Sequence, residues 1–208
     1  MHAAKRKKNT LKTYNKEIPY QTYERIKFGG LRWSVEKRIF EYNLKPFLKS
    51  DYKILDIGSN FGFFVNEFAI HCKLAHGIEP NKYLNEIGRC TSEYLKINNK
   101  TNFFDCTFES FNEVVKYNVI FSLAAYYTAD GIQNTSPKEY FGKIYDLLEN
   151  EGTIFYESTS FKKEKNDSHY QAQKEAIEYI KKNFKKTKNW ITNSGSKNYY
   201  RSYASGIK

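Results

Sequence analysis

The stretch Ile54-Leu55-Asp56-Ile57-Gly58-Ser59-Asn60-Phe61-Gly62-Phe63-Phe64 joins an apolar run to an amphipathic one through a turn that holds two glycines. Lys53–Ile57 reads as a buried strand that ends on an acid, and Phe61–His71 reads as a helix with Phe61, Phe64, Val65 and Phe68 on its inner face. Gly58 allows backbone geometry that a side chain obstructs, and Gly62 lets the helix lie close to the sheet or to a ligand. The carboxyl edge of a strand in an open parallel sheet is where ligands bind. Glycine spacing then narrows the ligand. A dinucleotide fingerprint starting at Gly58 needs glycine at 60 and 63, where this chain has Asn60 and Phe63, and the GK[ST] of a phosphate-binding P-loop is absent. This helix start is not furnished for pyrophosphate.

Downstream, apolar runs at Leu74–Glu79, Asn102–Cys106, Asn118–Ala124 and Thr153–Glu157 alternate with amphipathic segments at Asn81–Ile97 and Pro137–Glu149. The alternation predicts an α/β fold with a mostly parallel sheet wrapped on both faces. One helix start is explicit: Ser136 as N-cap, Pro137 at the first helical position and Glu139 to close a capping box. After Glu157 the pattern predicts a helix over Ser168–Phe184. Strand-like runs at Asn189–Thr192 and Tyr199–Ala204 follow, joined by Asn193-Ser194-Gly195-Ser196, as in an antiparallel hairpin. Upstream, residues 1–16 read as a basic mobile tail. Tyr20–Trp33 reads as an ordered loop, and Ser34 caps a helix that Pro46 must kink or end. The expected organisation is a tail over 1–16, a lid and helical segment over 17–50, and a ligand-binding domain over 51–208.

Composition agrees with this reading. The 208 residues (24.6 kDa), 40% hydrophobic and 17% aromatic, suit one self-standing core and exclude collagen-like, disulfide-framework and wholly disordered classes. Val119–Tyr127, the longest uncharged apolar stretch, falls far short of the roughly 20 residues a membrane-crossing helix needs. A soluble, cytoplasmic protein without integral membrane contact is expected. Cys72, Cys90 and Cys106 are odd in number and widely spaced, so reduced thiols and no metal site are expected. The net charge of +11 is distributed unevenly. Residues 1–50 carry 13 Lys/Arg against 4 Asp/Glu, residues 51–160 carry 9 against 15, and residues 161–208 carry 12 against 4. Such basic ends either steer an anionic partner or form a solvated lysine surface.

Asp56-Ile57-Gly58-Ser59-Asn60-Phe61-Gly62 resembles the first motif of the class I S-adenosylmethionine-dependent methyltransferases, an acid followed by GxGxG, with asparagine for the middle glycine. The resemblance covers about Asp51 to Ser158 and implies a three-layer Rossmann-like fold whose seven-stranded, mostly parallel sheet ends in an antiparallel hairpin. It also implies S-adenosyl-L-methionine as cofactor, bound by Asp56, Gly58, Asn60 and Gly62. Glu79, at the end of the second strand, would take the ribose hydroxyls. Asp105 and Cys106, after the third strand, would take adenine, and Ser122, in the fourth strand toward the usual floor of the methyl-transfer site, would also bind the cofactor.

Methyl transfer from a sulfonium is an in-line displacement that depends on positioning, and a base is useful when the acceptor is a hydroxyl. Tyr126, Tyr127, Asp130, Glu157 and His169 are candidates to hold or deprotonate the acceptor. For Tyr126 and Tyr127 simple aromatic packing stands beside function, and His169 also reads as a surface residue. In Lys27-Phe28-Gly29-Gly30-Leu31-Arg32-Trp33, Lys27 and Arg32 could hold a phosphate or carboxylate with Trp33 as a stacking wall; a Trp anchor with cations in water is the alternative. The segment after the fourth strand lacks the (D/N)PP(Y/F/W) grip for a planar nitrogen and any cysteine nucleophile, which argues against adenine-N6 and cytosine-C5 methylation. The expected acceptor is a hydroxyl or amine of a small molecule or glycan, such as a sugar or glycolipid precursor. An RNA methyltransferase that uses the basic ends, and a non-catalytic cofactor-binding module, are the alternatives.

Overall fold

The computed structural model describes residues 19–127, 135–195 and 197–208. The expected tail over 1–16 and the candidate Asp130 lie outside the described residues. Seven strands form one sheet in the order β3-β2-β1-β4-β5-β7-β6: β1 (Lys53–Ile57), β2 (Leu74–Ile78), β3 (Thr101–Phe104), β4 (Tyr117–Leu123), β5 (Leu148–Glu157), β6 (Lys185–Asn193) and β7 (Tyr200–Ile207). β2 pairs parallel with β3 and β4 parallel with β5, whereas β7 runs antiparallel to both β5 and β6. The α/β class and the closing antiparallel hairpin are thus as the sequence pattern predicts. The described residues fall into two compact units. The first comprises residues up to Ile54 together with Ser59–Phe111, and the second comprises Leu55–Gly58 with Asn112–Lys208.

In the first unit, α1 (Val35–Glu41) packs on α2 (Phe63–His71), α2 on β2 and β3, and α3 (Lys82–Tyr94) on β3 and α2. Ser34 caps α1 by accepting the Lys37 N–H at 3.2 Å. The helix stops at Glu41, earlier than the expected kink, because Asn43 adopts a left-handed φ of 52° and Pro46 falls in a separate 3-10 turn, Lys45–Phe47. α2 begins at Phe63 rather than Phe61, since Gly62 is its N-cap with φ 68°. A Cβ at Gly62 would collide with the buried Phe103 ring, which also lies against Gly88 of α3. The freedom at Gly62 therefore serves sheet packing.

In the second unit, α4 (Pro137–Leu147) packs on β5 and α5 (Ser168–Asn183), and α5 also packs on β6 and β7. Both arms of the capping box form at Ser136 and Glu139. Two strands are longer than their apolar runs. β5 starts at Leu148, with a register shift opposite Tyr117/Val119, and β6 starts at Lys185. Ladder pairing with β4 and β7 holds these polar residues in strands, so hydrophobicity alone misses them.

Candidate functional site

In the first unit the glycine turn closes on itself. Ser59 N–H donates to the Ile78 carbonyl (3.0 Å) and Gly62 N–H to the Ser59 carbonyl (2.9 Å). Phe61 N–H donates to Asn60 Oδ1 (2.9 Å), and Asn60 N–H to Glu79 Oε2 (3.3 Å). Asn60 holds φ 52°, a left-handed angle that asparagine tolerates better than most residues. Four consecutive N–H groups are thus satisfied within the protein, one of them by a carboxylate. A pyrophosphate would find like charge there instead of donors.

Glu79 follows β2 and is half-buried, and its Oε1 also accepts the Asn81 N–H at 3.0 Å. Asn85 of α3, fully buried, is a residue the sequence pattern did not single out. Its Nδ2 reaches the Glu79 carbonyl (2.8 Å), the Phe104 carbonyl (3.1 Å) and Asp105 Oδ1 (2.7 Å). Arg89 Nη2 meets the same Asp105 oxygen at 2.8 Å and the Phe103 carbonyl at 2.8 Å. One asparagine and one arginine on α3 therefore tie the ends of β2 and β3 together and orient Asp105; Cys106 beside it is half-buried. Asn66 does the same for the turn, with Nδ2 on the Gly62 and Gly88 carbonyls at 3.0 and 3.1 Å. The signal for both asparagines was present: an amide on the apolar face of a helix has to find a partner. Ser59 Oγ, Asn66 Oδ1 and Asn85 Oδ1 are buried and have no hydrogen-bond partner among the described residues.

The segment before α1 is anchored beside this turn. Tyr23 is buried and donates its hydroxyl to Glu67 Oε2 (2.8 Å), and Arg25 grips both oxygens of Glu67 at 2.7 and 2.8 Å. Burial opposes ionisation of Glu67, but the bonds from Arg25 and Tyr23 outweigh it and hold the carboxyl below its usual range. Phe28 stands edge-on to Phe61 (6.1 Å between centroids) and to Phe63 (5.3 Å). Its expected neighbours lie differently. Trp33 is 54% exposed with the Lys37 ammonium over its ring, Arg32 lies over Tyr20, and Lys27 is exposed at φ 57°. The aromatic ring brought to the turn is Phe28, which the sequence pattern did not pick.

In the second unit, Asp56 is buried at the end of β1, and Gly58 has φ 73° with its missing Cβ facing the Ala125 methyl. Ala124, just beyond β4, holds a left-handed φ of 58°, uncommon for alanine, and its N–H donates to the Glu157 carbonyl at 2.8 Å. Ser122 is buried with its hydroxyl 2.9 Å from that of Tyr140. Tyr126 packs between Tyr140 and Phe141 at 4.9 and 5.0 Å, and burial pushes its phenol up to about 12, so it is protonated at neutral pH. Glu157 is 1% exposed and accepts from Arg201 Nη1 at 2.7 Å and the Tyr203 hydroxyl at 3.5 Å. Tyr127 and His169 meet edge-to-face at 4.8 Å, and the His169 ring is fixed through Nδ1 by Thr159 Oγ1 at 2.9 Å. His76 of β2, in the first unit, is buried; desolvation pushes its imidazolium down to about 4 and keeps it neutral. Among the described residues no cluster of three His, Cys, Asp or Glu side chains could hold a metal ion, and no helix is long and apolar enough to cross a membrane.

No protein-family model matches the sequence, and no curated protein is similar to it at a significant level. Solved structures do match. The N-methyltransferase NodS from Bradyrhizobium japonicum WM9, in complex with S-adenosyl-L-homocysteine, superposes over 99% of this chain and 97% of its own with a TM-score of 0.71 at 12% identity. A SAM-dependent methyltransferase from Thiobacillus denitrificans, also with S-adenosyl-L-homocysteine, covers 83% of this chain and 90% of its own (TM-score 0.61, 11% identity). The tRNA m1G37 methyltransferase of M. jannaschii covers 85% of this chain with 49% of its own (TM-score 0.57, 15% identity). The fold is that of the class I S-adenosylmethionine-dependent methyltransferases.

Proposed function

We propose that this chain, with its class I methyltransferase fold, transfers a methyl group from S-adenosyl-L-methionine to a hydroxyl or amine of a small molecule. The observation that carries the reading is the carboxylate of Glu79, held by two backbone N–H groups beside a glycine turn whose own donors are satisfied. That arrangement suits two ribose hydroxyls and disfavours a phosphate. The buried orphan oxygens of Ser59 and Asn85 fit a polar ligand at the same strand ends. When bound, the cofactor supplies a methyl group on a positively charged sulfur.

In this reading Glu79 accepts from the ribose hydroxyls. Asp105, oriented through Oδ1 by Asn85 and Arg89, uses Oδ2 for the adenine amino group, and the Cys106 N–H meets the ring. Asp56, Gly58, Asn60 and Gly62 shape the turn, and the strained Ala124 marks the end of β4 as a functional position. The backbone near Ser122 and Ala124 orients the acceptor. Tyr126 and Glu157 act by packing and positioning, since one is a buried neutral phenol and the other is tied to Arg201. The residue best suited to take a proton from a hydroxyl is His169, whose ring Thr159 holds and Tyr127 flanks. Lys27 and Arg32 serve to hold a phosphate or carboxylate, with Trp33 as a stacking wall. An amine acceptor is supported by likeness over almost the whole of both chains to a protein named as an N-methyltransferase.

Two measurements test the reading. Mass spectrometry of cell extracts incubated with isotopically labelled methyl donor should reveal a labelled small molecule; tight cofactor binding with no labelled product would reduce the protein to a binding module. Calorimetry with S-adenosylhomocysteine should show Glu79→Ala lowering affinity at least tenfold, because charged hydrogen bonds contribute about 1.5–3 kcal/mol.

A further inference from the structure

The last acidic residue in the sequence is Glu178, and the 30 residues after it carry seven lysines and one arginine. Three of these cations have partners within the second unit: Arg201 on Glu157, Lys208 on the Leu148 carbonyl, and Lys185 at 3.8 Å from Glu151. Lys181 and Lys182 lie in the last turn of α5, where cations suit the helix dipole. Lys186 and Lys188 stand on β6, the terminal strand of the sheet, exposed at every position except the half-buried Thr187. The ladder shifts register between Lys185 and Lys188, and Lys186 takes a left-handed φ of 48°, so the basic start of the strand is bulged out of regular pairing.

Two residues beyond Lys188, on the same face by strand alternation, lies Trp190. Its indole is stacked on Tyr203 with centroids 5.3 Å apart and planes 6° from parallel, and Phe155 braces it edge-on at 5.8 Å. It is nonetheless 37% exposed. Lysines on an edge strand ordinarily keep it from pairing with other chains. That accounts for Lys186 and Lys188, but it does not account for an exposed Trp190 and Ile191 on the same strand, which raise the hazard that lysines reduce.

We infer that the face of β6 that carries Lys188 and Trp190 forms a docking surface for single-stranded RNA, with Lys188, the bulged Lys186 and their neighbours on phosphates and Trp190 as a rigid plate for a stacked base. Lipid is the poorer fit, because a membrane anchor projects its aromatic edge clear of the protein, whereas this indole lies flat on Tyr203. The surface concerns a partner and goes beyond the methyl transfer proposed above, whichever acceptor is methylated.

The test is fluorescence anisotropy of the whole protein with a fluorescein-labelled oligouridylate, titrated in salt. Binding is expected at about 50 mM salt, with a log–log slope of about −2 to −3 for three or four phosphates engaged. Lys186→Glu/Lys188→Glu should lower affinity at least tenfold and flatten the slope. Trp190→Ala should lower it about tenfold with the slope unchanged, and Trp190→Phe, which keeps a ring on Tyr203, should recover most of that loss. Calorimetry with S-adenosylhomocysteine on the same samples should be unaffected, so a parent protein that binds the cofactor but not the oligonucleotide overturns this inference alone. It is also overturned if no binding is seen at low salt, if the lysine variants match the parent, or if phosphatidylserine vesicles bind and displace the oligonucleotide.

Discussion

Glu79 and Glu157 are both acids at the carboxyl ends of strands, yet the two units treat them differently. In the first unit Glu79 stays half-buried and accepts from the backbone N–H groups of Asn60 and Asn81. In the second unit Glu157 is sealed from solvent and bonded to the Arg201 guanidinium from the antiparallel neighbour β7. A backbone donor orients a carboxylate without cancelling its charge, whereas a guanidinium at 2.7 Å does both. An acid at a strand end is thus drawn into a buried ion pair where the adjacent strand presents a guanidinium, as β7 does for Glu157.

The largest expected effect bears on the second member of that pair. Glu157→Ala strips Arg201 of its buried carboxylate and should cost about 3–5 kcal/mol in urea denaturation. A Glu157→Gln protein of parental stability that has lost turnover would instead make Glu157 catalytic and erase the contrast. Next comes acid sensitivity in the first unit. The unfolded chain carries His76 with an ordinary value near 6.5, while burial lowers it to about 4 in the folded protein, so the unfolded state binds more protons between these values. Stability from this source is fully present above about pH 6.5 and is lost as pH falls toward 4, about 3 kcal/mol in all. Thermal melts across that range should show the slope, and His76→Phe should flatten it. Smallest is Ser122→Ala, which removes one partner of the Tyr140 hydroxyl and should cost about 1 kcal/mol with S-adenosylhomocysteine affinity unchanged. A tenfold loss of affinity would return Ser122 to the cofactor.

The turn at Gly58–Gly62, the acid ending β2 and the capping box at Ser136 were legible because each is a local device. They depend on a residue's own backbone freedom or on a partner a few positions away. The start of β6 was not legible, since lysines enter a strand there only because β7 offers a ladder. The partners of Asn66, Asn85 and Arg89 were not legible either, because they come within reach only once α2 and α3 lie against β3.

The same division runs through the whole chain. The order of strands and helices, the closing hairpin and the exclusion of a pyrophosphate cradle follow from periodicity and glycine spacing, which act over a few residues. Long-range partnership decided the rest: Phe28 against the glycine turn, Tyr126 as a buried neutral phenol, and Glu157 as half of an ion pair. Burial and charge pairing depend on groups tens of residues away, and only the folded chain brings those groups together.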